Sequence, residues 1–240
     1  MVSVLALLLP AQARAVEVLM AFGEKIPPFC IPESNSGIEL DVIGEALAFK
    51  GHTLKPVYLP FARIPLAFKD KSVDAAMTDL GEDLRPSGGH YGDPAVFYDN
   101  VFITLRSRKL RIEKPADLQG LTVVSFRGAA NRYPEWLQAL KKTGGYAELN
   151  DQSAQVKTLM RKRYDVVLSD RNIFKYFSLQ LKRSGFPLES IEEHRFAEVN
   201  PQDYRPIFRD PQVRDDFNLG LKHLKANGRF QAIYDKYLRE

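Results

Sequence analysis

The chain has 240 residues, 45% of them hydrophobic and 27% charged, a globular composition long enough to bury one large core or two smaller ones. Its 34 basic and 30 acidic residues leave a formal net charge of +4. The two signs are interspersed, no run of Lys or Arg reads as a nucleic-acid arm, and no nucleic-acid partner is expected. Cys30 is the single cysteine, which excludes an intramolecular disulfide.

At the N-terminus, Val2 to Leu9 is almost wholly apolar, Pro10 breaks it, and Ala13-Arg14-Ala15 places small residues where a signal peptidase reads. Residues 1–15 are therefore expected to be a signal peptide and Val16 the first mature residue, although no Lys or Arg precedes the apolar run. The run falls short of the ~20 residues that span a bilayer. No later segment is long and apolar enough either, and no cysteine lies just after the expected cleavage point to carry a lipid.

The mature chain then alternates strands and helices. Residues 16–22 read as a strand, and the Pro- and Gly-rich stretch 23–37 as a loop. Leu40, Ile43, Leu47 and Ala48 lie at helical spacing before Gly51, which predicts a helix over 38–50. Strand 53–59, a short helix 62–69 and strand 73–77 follow, an order that argues a parallel α/β sheet. An irregular stretch, 79–94, leads to strand 101–105 and the basic cluster Arg106, Arg108, Lys109 and Arg111. The pattern then restarts with strand 121–126, helix 133–142, strand 146–149, a helix over 153–161 with Ser153 as its N-cap, strand 164–169 and helix 173–182. Two amphipathic helices, 213–226 and 230–238, close the chain.

Two α/β rounds of about 90 residues fit two small domains better than one. Crossovers are expected near Phe102–Arg106 and Phe196–Tyr204. Ligands of open α/β sheets bind at the carboxyl ends of strands, so loops after strands of two lobes would face each other across a cleft.

The sequence lacks G-x-G-x-x-G, G-x-x-x-x-G-K-[ST], H-E-x-x-H and G-x-S-x-G. The histidines at 52, 90, 194 and 223 have no ligand spacing and are expected at the surface or in loops, so no metal site is expected. The candidate binding residues all follow strands. Phe29 follows two prolines and either stacks on a ligand or packs in the core beneath a rigid loop, and Phe61 and Arg63 join the second strand to its helix. Thr78, Asp79 and Arg85 follow the third strand; Thr78 offers a hydroxyl, and Arg85 a fork suited to a carboxylate. Arg127, Gly128 and Ala129 stand before a helix, where open backbone N–H groups attract an anion. Asp170, at a strand tip, either receives an ammonium group or caps the next helix.

From Val16 to Leu238 the chain resembles the family 3 periplasmic solute-binding proteins, the amino-acid-type receptors of ABC transporters. The resemblance rests on Pro27-Pro28-Phe29, Gly37-Ile38-Glu39-Leu40-Asp41-Val42, Pro60-Phe61, Ser72-Val73-Asp74-Ala75, Arg85 and Gly92-Asp93-Pro94. Further on it rests on 114–123, Tyr164-Asp165-Val166-Val167, Asp170 and 228–237. It implies the type II two-lobed fold, each lobe a mostly parallel sheet flanked by helices, joined by two crossover strands. Lobe 1 is then expected over 16–103 and 202–240, and lobe 2 over 104–201. It also implies a ligand carboxylate held by Arg85 and the amides of Gly128–Ala130, an amine on Asp170, aromatic walls from Phe29 and Phe61, and closure by hinge bending. The chain departs from the family pattern in three places: Gly23 and Ile26 stand where an acid and an aromatic are usual, Asp79–Glu82 replaces a hydroxyl-rich stretch one residue short, and Ala129 and Ala130 replace hydroxyls. These departures point to a modified amino acid, another small carboxylate, or a more cationic ligand drawn to Asp79 and Glu82.

The expected protein is a monomeric, non-enzymatic periplasmic receptor without cofactor, handing a small polar metabolite to an ABC permease. Two alternatives are a dehydratase-like enzyme on a cyclic carboxylate, with Asp170, Glu24 or Asp79 as its acid, and a ligand-binding sensor partner.

Overall fold

A computed structural model describes residues 15–78, 81–198 and 204–239. The expected signal peptide lies outside the described residues except for Ala15, and Asp79 lies outside them too.

The first lobe is built on β1 (Glu17–Phe22), β2 (Thr53–Tyr58), β3 (Ala75–Met77), β4 (His90–Tyr91) and β10 (Pro206–Phe208), in the order β2-β1-β3-β10-β4. β1 runs parallel to β2 and β3, while β10 pairs antiparallel with β3 and β4. The second lobe holds β5 (Asn100–Leu105), β6 (Val123–Phe126), β7 (Tyr146–Leu149), β8 (Val166–Asp170) and β9 (Ile191–His194), in the order β7-β6-β8-β5-β9. There β6 runs parallel to β7 and β8, and β5 antiparallel to β8 and β9. Each sheet is thus a parallel triplet extended through one antiparallel strand to an outer strand that again runs with the triplet, the architecture of type II periplasmic binding proteins.

Both sheets are covered on both faces, which is why their strands read as nearly continuous apolar runs. Successive residues of β1 point to opposite sides. Met20 and Phe22 pack under α1 (Ile38–Ala48), α7 (Pro211–Ala226) and α8 (Arg229–Leu238), while Ala21 faces α2 (Ile64–Lys69). In the second sheet Phe102, Val123 and Val166 meet α3 (Ala129–Arg132) and α4 (Pro134–Thr143), and Val101, Val124 and Val167 meet α5 (Gln152–Met160) and α6 (Arg171–Arg183).

Four differences from the sequence reading have local causes. β4, β9, β10 and α3 were not expected; each spans two to four residues, too few for a period to register. The N-cap of α5 is Asp151, whose carboxylate accepts from the N–H of Ser153 and Ala154, so Ser153 is a donor inside the helix and not its cap. The first crossover precedes the expected one, because β5 pairs with β8 from Asn100 onward; Asn100–Ile103 lie in the second sheet. His52 lies in the loop before β2, as expected, but is buried there: its Nε2 lies 3.0 Å from Asp216 and its Nδ1 accepts from the Val16 N–H.

The lobes also meet along α6. Ile173, Tyr176 and Phe177 on this second-lobe helix pack against the first-lobe core, and Arg183 donates to the Arg239 carbonyl.

In the first lobe α1 and α7 approach closely. A Cβ at Gly220 would fall 1.9 Å from the Ala46 carbonyl oxygen. Helix propensity alone favours Gly220→Ala by ~1 kcal/mol, whereas overpacking two backbones costs ~1–3 kcal/mol or more. The variant is expected to lose about 2 kcal/mol, read as a lower urea midpoint; an unchanged or higher midpoint would show that the helices separate freely.

Candidate functional site

A cleft of about 580 Å³ lies between the lobes. Its walls come from the carboxyl ends of parallel strands in both sheets, as expected for open α/β sheets. After β1 come Glu24, Lys25 and Ile26, and after β2 comes Phe61. The second lobe contributes Phe126, Arg127 and Arg132 after β6, Leu149, Asn150 and Gln152 after β7, and Asp170 and Ile173 after β8. Tyr98, Asn100 and Tyr204 from the two crossovers form the floor.

Phe61 sits in a turn of 3-10 helix and is 45% exposed. Its ring lies directly on the backbone of Gly23, where a Cβ would come within 2.3 Å of it. The glycine that departs from the family pattern is thus the residue over which the aromatic wall can lie. Phe29 is fully buried and lies beneath the floor, its ring 4.2 Å from that of Tyr98. It supports the cleft without lining it, because the loop after β1 turns its side chain into the first-lobe core.

Tyr98 continues upward, 4.3 Å from Tyr204, and the Arg132 guanidinium stacks over Tyr204 at 5.4 Å. Arg132 also donates to the hydroxyls of Tyr204 and Tyr133, and Tyr133 accepts from Asn100. This column runs from the core of one lobe through both crossovers to the other lobe. At its foot the Tyr98 hydroxyl donates to Glu39, which is wholly buried. Burial pushes the Glu39 carboxyl up to about 7, only partly offset by that hydrogen bond.

Asp170 is 2% exposed. It caps α6 through the N–H groups of Asn172 and Ile173, and its other oxygen accepts from the Asp99 N–H. Burial raises its carboxyl to about 7 against these three hydrogen bonds, with the charge of Asp99 adding to the rise. A carboxylate offers about four acceptor positions, so one is left toward the cleft.

Gly128 adopts the left-handed conformation that opens α3. The N–H groups of Gly128 and Ala130 do not stand open: both donate to the Glu148 carboxylate, at 2.9 and 3.3 Å. Ala129 is buried beneath them.

The remaining expected residues lie away from the cleft. Arg85 is turned to solvent, with its side chain 72% exposed, and forms a fork with Asp83: its Nε donates to both carboxylate oxygens at 3.0 Å and its Nη2 to Oδ2 at 2.8 Å. That local pair, two residues away, holds the guanidinium outside the cleft lining. Arg63 is exposed at the end of the Phe61 turn, outside the lining. Thr78 is buried, and its hydroxyl donates to the Arg205 carbonyl rather than toward a ligand. The structure therefore brings together Phe61, Arg127 and Asp170. Tyr98, Tyr204, Arg132, Asn100 and Gln152 join them without any sequence signal, since isolated polar and aromatic residues, whether in the crossovers or at the ends of short helices, carry no period or spacing.

No family model matches the sequence. Solved structures share the fold over nearly the whole chain. The second substrate-binding domain of Lactococcus lactis GlnP, in an open conformation, superposes with a TM-score of 0.65 and 22% identity, covering 93% of this chain and 96% of that one. A polar amino acid ABC uptake transporter substrate-binding protein from Streptococcus thermophilus gives 0.67 and 18%, covering 93% and 86%. The glutamate-bound GluR0 ligand-binding core from Nostoc punctiforme gives 0.61 and 21%, covering 93% and 100%. The chain has the type II periplasmic binding protein fold, shared with amino-acid-binding substrate receptors of ABC transporters.

The buried acid beneath the floor makes stability depend on pH. Between pH 4.5 and about 7 the folded chain keeps a proton on Glu39 that the unfolded chain releases. The stability this group contributes is complete below 4.5 and is lost as pH rises through about 7. Glu39→Gln keeps an acceptor for Tyr98 without the titration. Its urea midpoint should gain on the wild type between these two pH values; a constant difference would contradict the assignment.

Proposed function

We propose that the chain is an exported solute-binding protein. It captures a small polar metabolite, an amino acid or a related small carboxylate or amine, between its lobes for delivery to an ABC permease in the inner membrane. The observation that carries this reading is the interlobe cleft, where one aromatic wall, a guanidinium without a partner among the described residues and a buried carboxylate converge on about 580 Å³. Such a combination orients a small zwitterion: Phe61 supplies apolar contact, Arg127 a site for negative charge, and the remaining acceptor of Asp170 a seat for an ammonium group. The signal-peptide pattern of residues 1–15 supports a periplasmic location. Among the described residues no helix is long and apolar enough to cross a membrane.

The fold suits capture without chemistry. Asp170 has the raised pKa, about 7, that a cleft acid catalyst would need, but three backbone N–H groups engage it as an acceptor. Closure of the lobes would exclude water from the cleft and strengthen each polar contact inside it. The protein is expected to act as a monomer.

The reading is tested by thermal unfolding of the chain against amino acids, polyamines and small organic acids. At ~100 times its dissociation constant a ligand adds ~2.7 kcal/mol, which is ~5–11 °C for a chain of this size. A response confined to one class names that class, and silence across the panel rejects the proposal. If Asp170 takes an ammonium group, the ligand binds its ionised form. Affinity should then rise with pH up to about 7 and level off above it; a flat profile would remove Asp170 from the grip. Consumption of prephenate or arogenate on incubation would instead favour the dehydratase reading.

A further inference from the structure

Both groups that the family resemblance assigns to a ligand carboxylate already hold a carboxylate of the chain itself. Arg85 is forked with Asp83. The N–H groups of Gly128 and Ala130 donate to Glu148, and the Tyr146 hydroxyl donates to the same carboxylate at 2.8 Å. The seat taken by Glu148 is set by sheet register. Glu148 is paired with Ser125 across β6 and β7, so its side chain is delivered to the loop that follows β6. Tyr146 lies two residues earlier on the same face, and its hydroxyl is fixed by Ser125 at 2.6 Å. These three donors hold the Glu148 carboxyl below its ordinary range despite the opposing effect of its partial burial. A second carboxylate arriving at this loop would meet a like charge and find the N–H groups of Gly128 and Ala130 already engaged.

Two groups beside it remain unpaired. Arg127 is exposed in the cleft, and no described residue pairs with it. The Oε1 of Gln152, at the start of α5 and in the same cleft wall, is buried without a hydrogen-bond partner. A buried acceptor left unpaired costs roughly 1–3 kcal/mol, so a donor supplied by a bound molecule is the natural way to recover it. Arg132 is already engaged by Tyr204 and Tyr133.

We propose that Glu148 is a specificity-determining residue: it fills the second-lobe amide seat and directs the ligand's anionic group to Arg127, with Gln152 accepting an N–H from the ligand. The inference rests on the solute-binding reading and sharpens it, since the ligand is then gripped by Arg127 and not by Arg85.

The test is an NMR titration of the full chain with sodium acetate, against sodium chloride at equal ionic strength. In the wild type the Nε–H signal of Arg127 should shift while the backbone N–H signals of Gly128 and Ala130 stay in place. In Glu148→Ala those two backbone signals should respond as well. A still Arg127 signal, or movement of Gly128 and Ala130 in the wild type, would overturn the proposal. With any amino acid found to stabilise the protein, Arg127→Gln should raise the dissociation constant about tenfold or more, while Arg85→Gln leaves it unchanged; the reverse pattern would also overturn it. If no amino acid binds but acetate still shifts Arg127, the amino-acid reading fails and the anion seat stands.

Discussion

Three segments that must stay in register meet at the Asp170 carboxylate. It ends β8, caps α6 through two N–H groups, and takes the N–H of Asp99 just before β5 begins. The strand tip, the helix that follows it and the incoming crossover are therefore fixed to one another by a single buried side chain. Burying a carboxylate is costly unless it is hydrogen-bonded, and three backbone donors offset that cost while leaving one acceptor position toward the cleft. The same residue is thus a scaffold element and the most deeply placed polar group of the site.

The second tie between the lobes is the ring column Phe29–Tyr98–Tyr204, topped by Arg132. It passes through both crossovers, so any rotation of one lobe against the other must slide or tilt these faces. The ring planes are tilted against one another by 32° and 43°. α6 adds a broad apolar contact on the far side of the cleft through Ile173, Tyr176 and Phe177. Together they leave the open mouth, between Phe61 and Arg127, as the part free to change its width.

Much of the fold was legible in the sequence because it depends on period and punctuation. α1 followed from Leu40, Ile43 and Leu47, and the parallel strands from short apolar runs bounded by Gly, Asp and Asn. The site was less legible. Phe61, Arg127 and Asp170 follow strands and reach the cleft, but Arg85 follows a strand too and points to solvent, because Asp83 captures it locally. The spacing of residues says nothing about a competing partner two positions away. Likewise, open amides were expected at Gly128–Ala130, and only the pairing of β6 with β7 reveals that Glu148 arrives there. Tyr98 and Tyr204 belong to crossovers whose positions depend on tertiary contacts.

Gly23 links ligand size to a position that never touches the ligand. Because the Phe61 ring rests on its bare backbone, any side chain at this position has to displace the ring, and with it one wall of the cleft. The width of the cavity can therefore be changed from behind, by exchange at the end of a core strand, with every polar contact left in place. A lineage carrying this fold would have a one-residue route to larger or smaller solutes.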